Sequence, residues 1–367
     1  MCLGTKWTRM YDFSGQEFRI RCFCHAVNKV AEIGLLEKEE IVKLIREQVI
    51  FIKQPKMKAE FRKGLKKRDI KLCRDCPTRW NSTRNMLGSA VKLRAEISEF
   101  LSTQKGPISS SMLSNEQWNQ ADTLEKFLAP LEDSSLACGS GLYATLHLGI
   151  PHFKILGAHF QATITKEGVK PWLTTIAQKM NAKLVSVIKE TWESSGPIIA
   201  CLLNPYLKLL EFSGQQEIAR VTGILKELFI IYAERYPASG QHGIPSGEPK
   251  SAYEEYIQSR VSNVASTESE IDRYLGTSPE PKCDVNDYWR KYEAVYPVLS
   301  KIARDYLAVC AYSVDSERSF SVSKNVVAGP RNRLGPKSLG KTMCLKSWYK
   351  IVCIQAGTLS EDITVLD

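Results

Sequence analysis

The chain has 367 residues, enough for one large or two ordinary domains with real cores. Hydrophobic residues make up 43% and charged residues 25%, a globular balance, and no run approaches the roughly 18 apolar residues of a membrane-spanning helix. The first residues lack the apolar stretch of a signal peptide, so the odd count of 11 cysteines predicts reduced thiols, and the net charge of +10 directs attention to where it falls.

Residues 1–16 carry no pattern. Phe18 to Phe23 alternates and predicts a strand. A helix begins at His25 and ends near Gly34, and Ile41, Leu44, Ile45, Val49 and Ile52 mark a second, amphipathic one. Between Lys53 and Arg74, ten Lys/Arg stand against Glu60 and Asp69, a local excess of eight positive charges. Such a stripe is the footprint of a polyanion partner, and equally fits a solvated helix face or a nuclear-import signal. It reads as helical through Lys67, with a short strand at Ile70–Cys73 and a long helix from Pro77 to about Leu101.

From Ser114 to Arg235 the pattern is almost wholly helical, and residues 234–250 form a Pro/Gly/Ser-rich linker. A short helix spans Glu268–Leu275, and Pro297 starts a helix whose face is Leu299, Ile302, Ala303 and Tyr306. Ser313 then caps a helix with Asp315 and Glu317 in its first turn and Phe320 and Val327 on one face. Leu345, Trp348, Tyr349 and Val352 follow at i, i+3, i+4, i+7, a last amphipathic helix. Strand signals at one end and a long helical stretch in between predict an α/β core interrupted by a helical insertion, with the last block packing back onto the first strands.

Three motifs carry chemistry. Cys22-Phe-Cys-His25 and Cys73-Arg-Asp-Cys76 hold zinc-ligand types without a standard knuckle spacing. On a strand, Cys22 and Cys24 would point to opposite faces, so the metal-free reading leads. Asp75-Cys-Pro-Thr-Arg-Trp-Asn-Ser-Thr83 places Trp80 and Arg79 beside the basic stripe. Trp80 fits a core residue at a helix start capped by Thr78, or an indole on which an unpaired base stacks, with Arg79 on phosphate. The third motif is Ser316-Glu-Arg-Ser-Phe-Ser321 with Arg331-Asn-Arg-Leu334, running on to Leu345-Lys-Ser-Trp348.

Together these resemble the hAT-type (hobo/Activator) DNA transposases over about residues 18–352. Weaker echoes include Phe127–Glu132, Tyr143–Leu148 and Ala200–Lys208, where Asn204 and Tyr206 replace the family's aspartate and arginine. The resemblance implies an α/β, predominantly helical chain: an incomplete RNase H-like core interrupted by a large helical insertion domain. The parts are 17–112 (truncated N-terminal core, basic segment 53–74), 113–250 (insertion with linker 234–250), 268–352 (dimerisation region completing the core) and a tail, 353–367.

It implies that Glu317 is the last of three metal-binding carboxylates, with Cys22 and His25 near the active site. Trp80, Arg79, Lys63, Lys66, Lys67, Arg68, Arg331 and Arg333 would contact DNA, and Phe320, Leu345 and Trp348 would serve dimerisation. The family's first two aspartates have no match, since Asp12 lies in an unlike context too close to Cys22, and its BED-type zinc finger is absent. No cofactor is therefore expected for the chain alone, and Mg2+ or Mn2+ on Glu317 only if the core is completed. The expectation is a nuclear, transposase-derived protein that binds DNA and forms homodimers or hetero-oligomers with other hAT-type chains, without a membrane and without catalysis of its own. The alternatives are an active transposase whose N-terminal part is missing from this chain, and a dimerisation module that binds no DNA.

Overall fold

The structure is a computed structural model that describes residues 21–355, except 66–68, 105, 107, 109–111, 140–143, 192–193, 237–268, 282, 313–322, 324–325 and 328–333. Among the described residues the chain is helical and has no strand. In α1 (Phe23–Leu36) the buried residues Phe23, Val27, Val30 and Ala31 recur at helical spacing, and in α2 (Glu39–Ile52) Ile41, Ile45, Val49 and Ile52 do the same. Pro55, which lacks the N–H that a first turn leaves unpaired, starts α3 (Pro55–Gly64).

Two expected strands are corrected. Of the first, Phe18–Phe23, residues 18–20 lie outside the described residues; Arg21 and Cys22 are irregular and Phe23 already belongs to α1, because the longer 3.6-residue period outweighs a short alternation. Cys22 and Cys24 therefore share a helix start rather than opposite faces of a strand. Ile70–Cys73 is extended but unpaired with any strand: the Cys73 N–H goes to the Ser89 hydroxyl, 2.9 Å away. The long helix expected to Leu101 is two, α4 (Trp80–Lys92) and α5 (Arg94–Ser102), separated at Leu93, whose N–H turns back to the Ala90 carbonyl.

A central group follows: α6 (Asn115–Phe127), α7 (Ala129–Cys138), a short 3-10 turn at Leu146–Leu148, α8 (Gly149–Thr165), α9 (Pro171–Thr191), α10 (Ser195–Leu202) and α11 (Gln215–Arg235). A full capping box starts α6: Gln117 N–H donates to Ser114 Oγ, and Ser114 N–H to Gln117 Oε1. α1 lies against α7 and α9, while α4 packs on α2 and α6.

The last described part holds α12 (Glu270–Gly276), α13 (Val285–Lys291), α14 (Pro297–Leu307) and α15 (Pro336–Gln355). The Glu270 carboxylate accepts the free N–H groups of Val298 and Leu299 (3.1 and 3.0 Å), capping α14 from α12. Burial pushes the Glu270 carboxyl up, and those two N–H groups oppose the shift.

This part is bolted to the loop after α10. Tyr274 and Trp289 stack 5.0 Å apart and donate to the carbonyls of Leu202 and Leu203. Lys208, 3% exposed, reaches the other way: its Nζ donates to the carbonyls of Tyr274 and Thr277 and to Thr277 Oγ1 (2.8, 2.8 and 2.6 Å). Its charge meets carbonyl oxygens at the C-terminal end of α12, where a cation suits the helix dipole. Lys208→Met would take the buried donor from the Thr277 carbonyl and leave the Tyr274 carbonyl with the Thr277 hydroxyl alone (2.9 Å), and urea unfolding should show a loss of about 2 kcal/mol; an unchanged midpoint would contradict the brace.

Candidate nucleic-acid interface

The conspicuous surface is built on α2. Its inner face packs in the core, and α3 leans against it with Phe61 buried and set edge-on to Phe100, ring centres 5.3 Å apart. The rest of α3 is then forced outward: Lys56, Lys58, Arg62 and Lys63 are all exposed. A charge left in water costs nothing, whereas burying it unpaired is expensive, so the sequence pattern and the exposure agree. Lys71, Arg74 and Arg79 continue the exposed cations along the loop into α4. Lys66, Lys67 and Arg68 lie outside the described residues.

The Asp75–Thr83 motif is held to α2 by one ion pair. Asp75, its side chain 1% exposed, accepts from Arg46 Nη2 at 2.8 Å and Nε at 3.0 Å, a forked pairing. Thr83 Oγ1 adds a third bond at 3.0 Å. Ser82 accepts the Cys76 N–H (2.8 Å) and donates to the Arg79 carbonyl (2.7 Å), which folds the loop over the start of α4. Arg79 occupies the N-cap position without a side-chain cap, and its guanidinium faces solvent. Thr78 is not the cap; its hydroxyl lies 3.3 Å from Cys76 Sγ. That hydroxyl, chiefly, and the Thr78 N–H favour the thiolate and hold the exposed Cys76 thiol below its ordinary range.

Trp80 departs from the stacking role implied for it. Only 5% exposed, it belongs to the core, so its indole faces offer no open platform to a base. Position and burial go together, because the helix starting at Trp80 must bury its first turn for Thr83 to reach Asp75.

A second juxtaposition joins the start of α1 to the segment that follows α14. The Phe23 N–H, at the start of α1, donates to the Ala311 carbonyl (2.6 Å). Ala311 N–H in turn donates to Thr145 Oγ1 (3.1 Å), and Leu146 N–H to the Val309 carbonyl. Thr145 is fully buried and its hydroxyl also donates to the Cys138 carbonyl. The chain therefore leaves for residues 313–333 from a point fixed beside Cys22 and Thr145. Glu317, Phe320, Arg331 and Arg333 lie outside the described residues. Cys22 is half-buried at the N-cap of α1 and His25 is exposed one turn on. Among the described residues no group of three or more His, Cys, Asp or Glu is placed to hold a metal ion. On α15, Leu345, Trp348 and Tyr349 stand 62%, 62% and 72% exposed. Sequence reasoning missed Arg46 and Thr145; the first is an ordinary arginine on an amphipathic helix, and the second stands in a stretch whose signal is its apolar spacing.

Residues 20–127 match the family model of the ZBED1 RNase-like helical domain, and residues 270–349 match the hAT family C-terminal dimerisation region. An AC transposase of Zea mays is 25% identical, over 96% of this chain and 47% of its own length. The zinc finger BED domain-containing protein RICESLEEPER 3 of Oryza sativa subsp. japonica is 25% identical over 92% of this chain and 48% of its own. Zinc finger BED domain-containing protein 4 of Homo sapiens is 23% identical over 93% and 30%. The chain spans about half the length of the plant relatives it matches. A helical domain of this kind followed by a hAT dimerisation region defines a transposase-like protein. The chain carries a hAT family C-terminal dimerisation region and is similar over nearly all of its length to AC transposases and zinc finger BED domain proteins, which is consistent with a hAT transposase-like protein.

Proposed function

We propose that this chain is the DNA-holding and pairing portion of a nuclear hAT transposase-like protein, derived from a split RNase H-like core, and that its own residues do not cut DNA. The observation that carries the reading is the exposed cationic face of α3 continuing through Arg74 to Arg79, braced on α2 by Arg46 and Asp75. Phosphate contacts need cations on a fixed frame, and this surface supplies both. The dimerisation region supports the pairing half of the proposal. Of three carboxylates that such chemistry requires, the sequence supplies Glu317.

A second reading draws on the chain's covering about half of its relatives' length. Joined to a further part that brings two more carboxylates, Glu317 would complete a site for Mg2+ or Mn2+.

Fluorescence anisotropy on a duplex tests the first reading. The triple change Arg62→Glu, Lys63→Glu and Arg79→Glu should weaken binding at least tenfold and flatten the salt slope by about 0.9 for each phosphate no longer neutralised. Unchanged affinity in a variant that still dimerises would leave a protein-pairing module that does not use DNA.

A further inference from the structure

A groove between α13 and α14 is filled by none of the described residues. It encloses about 270 Å3, with a floor of Trp289, Ser300, Ala303 and Leu307, none more than 6% exposed. Its rim is polar, and Arg304 and Glu293 pair at 3.0 Å at that rim. Trp289 turns its N–H away to the Leu203 carbonyl. Ser300 stands out: 3% exposed, its hydroxyl has no hydrogen-bond partner among the described residues. A buried hydroxyl left unpaired costs free energy, so a groove that holds one suits a guest with an apolar body and one polar hydrogen.

The same dimerisation region, residues 270–349, holds both this groove and the exposed side chains of α15. Leu345, Trp348 and Tyr349 lie on one face of that helix, with Lys341 a turn earlier. An indole is the guest the groove describes: flat, apolar, and carrying one N–H that must find an acceptor when buried. Tryptophan is also, with tyrosine and arginine, among the residues enriched at interface hot spots. The chain's own Trp348 is 62% exposed and so does not fill its own groove.

We infer that Trp348 of a second copy of this chain seats in the α13–α14 groove and donates its indole N–H to Ser300 Oγ. The inference rests on the pairing half of the proposed function and names the residues that meet. Two-fold symmetry seats the indole twice, each copy giving a Trp348 and receiving one. Lys341, on the same face of α15, comes to the rim that carries Glu293.

The test uses two exposed positions, so that neither change disturbs the core. Trp348→Ala empties the anchor, and Arg304→Trp fills the groove from its rim; Arg304 is 70% exposed at its side chain. Sedimentation of the full chain should show each variant pairing with itself about a thousandfold more weakly than wild type, since both grooves of the dimer go without their anchor, at about 30-fold each. Mixed together, W348A offers an open groove to the intact Trp348 of R304W. One groove is then occupied again, and the mixed dimer should form about 30-fold more tightly than either variant with itself. Wild-type strength in either variant alone, or a mixture no tighter than its components, would overturn the placement while leaving pairing in place. A monomeric wild type would overturn both.

Discussion

Asp75→Ala should cost about 4 kcal/mol in urea unfolding, the largest loss expected from a single polar substitution in this chain. Its carboxylate is all but sealed from solvent and takes bonds from Arg46 and Thr83. Truncating it leaves a guanidinium, itself only 27% exposed, with no counter-charge, and a buried hydroxyl with no acceptor. Arg46→Ala in the same background should cost little more, because the stranded charge is gone; the double change should be well below the sum of the singles. The loop that presents Arg74 and Arg79 hangs on this pair, so D75A should also weaken duplex binding although Asp75 is itself negative. A loss under about 1 kcal/mol, or tighter DNA binding through simple removal of a negative charge, would contradict the bracing role.

Acid should destabilise the central helices through His147. Burial pushes its imidazole down to about 4, and its Nδ1 has no hydrogen-bond partner among the described residues. Well above pH 6.5 the ring is neutral whether the chain is folded or not, and it costs nothing. As the pH falls below 6.5 the unfolded chain takes the proton first, so stability drops by up to about 3 kcal/mol by pH 4 and levels off once the folded ring also charges. His152 and His159 are lowered by burial too and act in the same direction. Urea unfolding at about pH 7 and about pH 4.5 should show the loss in wild type, and His147→Phe should remove most of its own share. His147 lies in the 3-10 turn beside Thr145, so acid also loosens the bonds that hold Val309 and Ala311. An equal loss in both proteins would contradict the assignment.

Much of this was legible in the sequence wherever one residue type or one period decides the outcome. The apolar spacing of Ile41, Ile45, Val49 and Ile52 marked α2, and Pro297 marked the start of α14. The cations of the basic segment that are described stay at the surface, as desolvation cost requires. What failed were short alternations. Ile70–Cys73 looks like a strand until a partner is asked for, and the partner is a helix hydroxyl, Ser89. Trp80 left two readings open because an indole suits a core and a base equally; only packing separates them, and packing buries it. The bonds that position the interface were invisible for a different reason: Arg46 finds Asp75 across 29 positions, and Ala311 finds Thr145 across 166. Lys208 closes the weak Ala200–Lys208 motif with nothing in the sequence to mark its role, yet it lies buried against carbonyls that come from 66 and 69 residues further on.

The most direct test of the central claim is the affinity of the wild-type chain for duplex DNA between about 50 and 200 mM salt. With Lys56, Lys58, Arg62, Lys63 and Arg79 all open to solvent, log affinity should fall against log salt with a slope of about −4 to −5, each neutralised phosphate giving about 0.9. No binding at the lowest salt, or binding that salt leaves unchanged, would contradict the claim that this surface holds DNA.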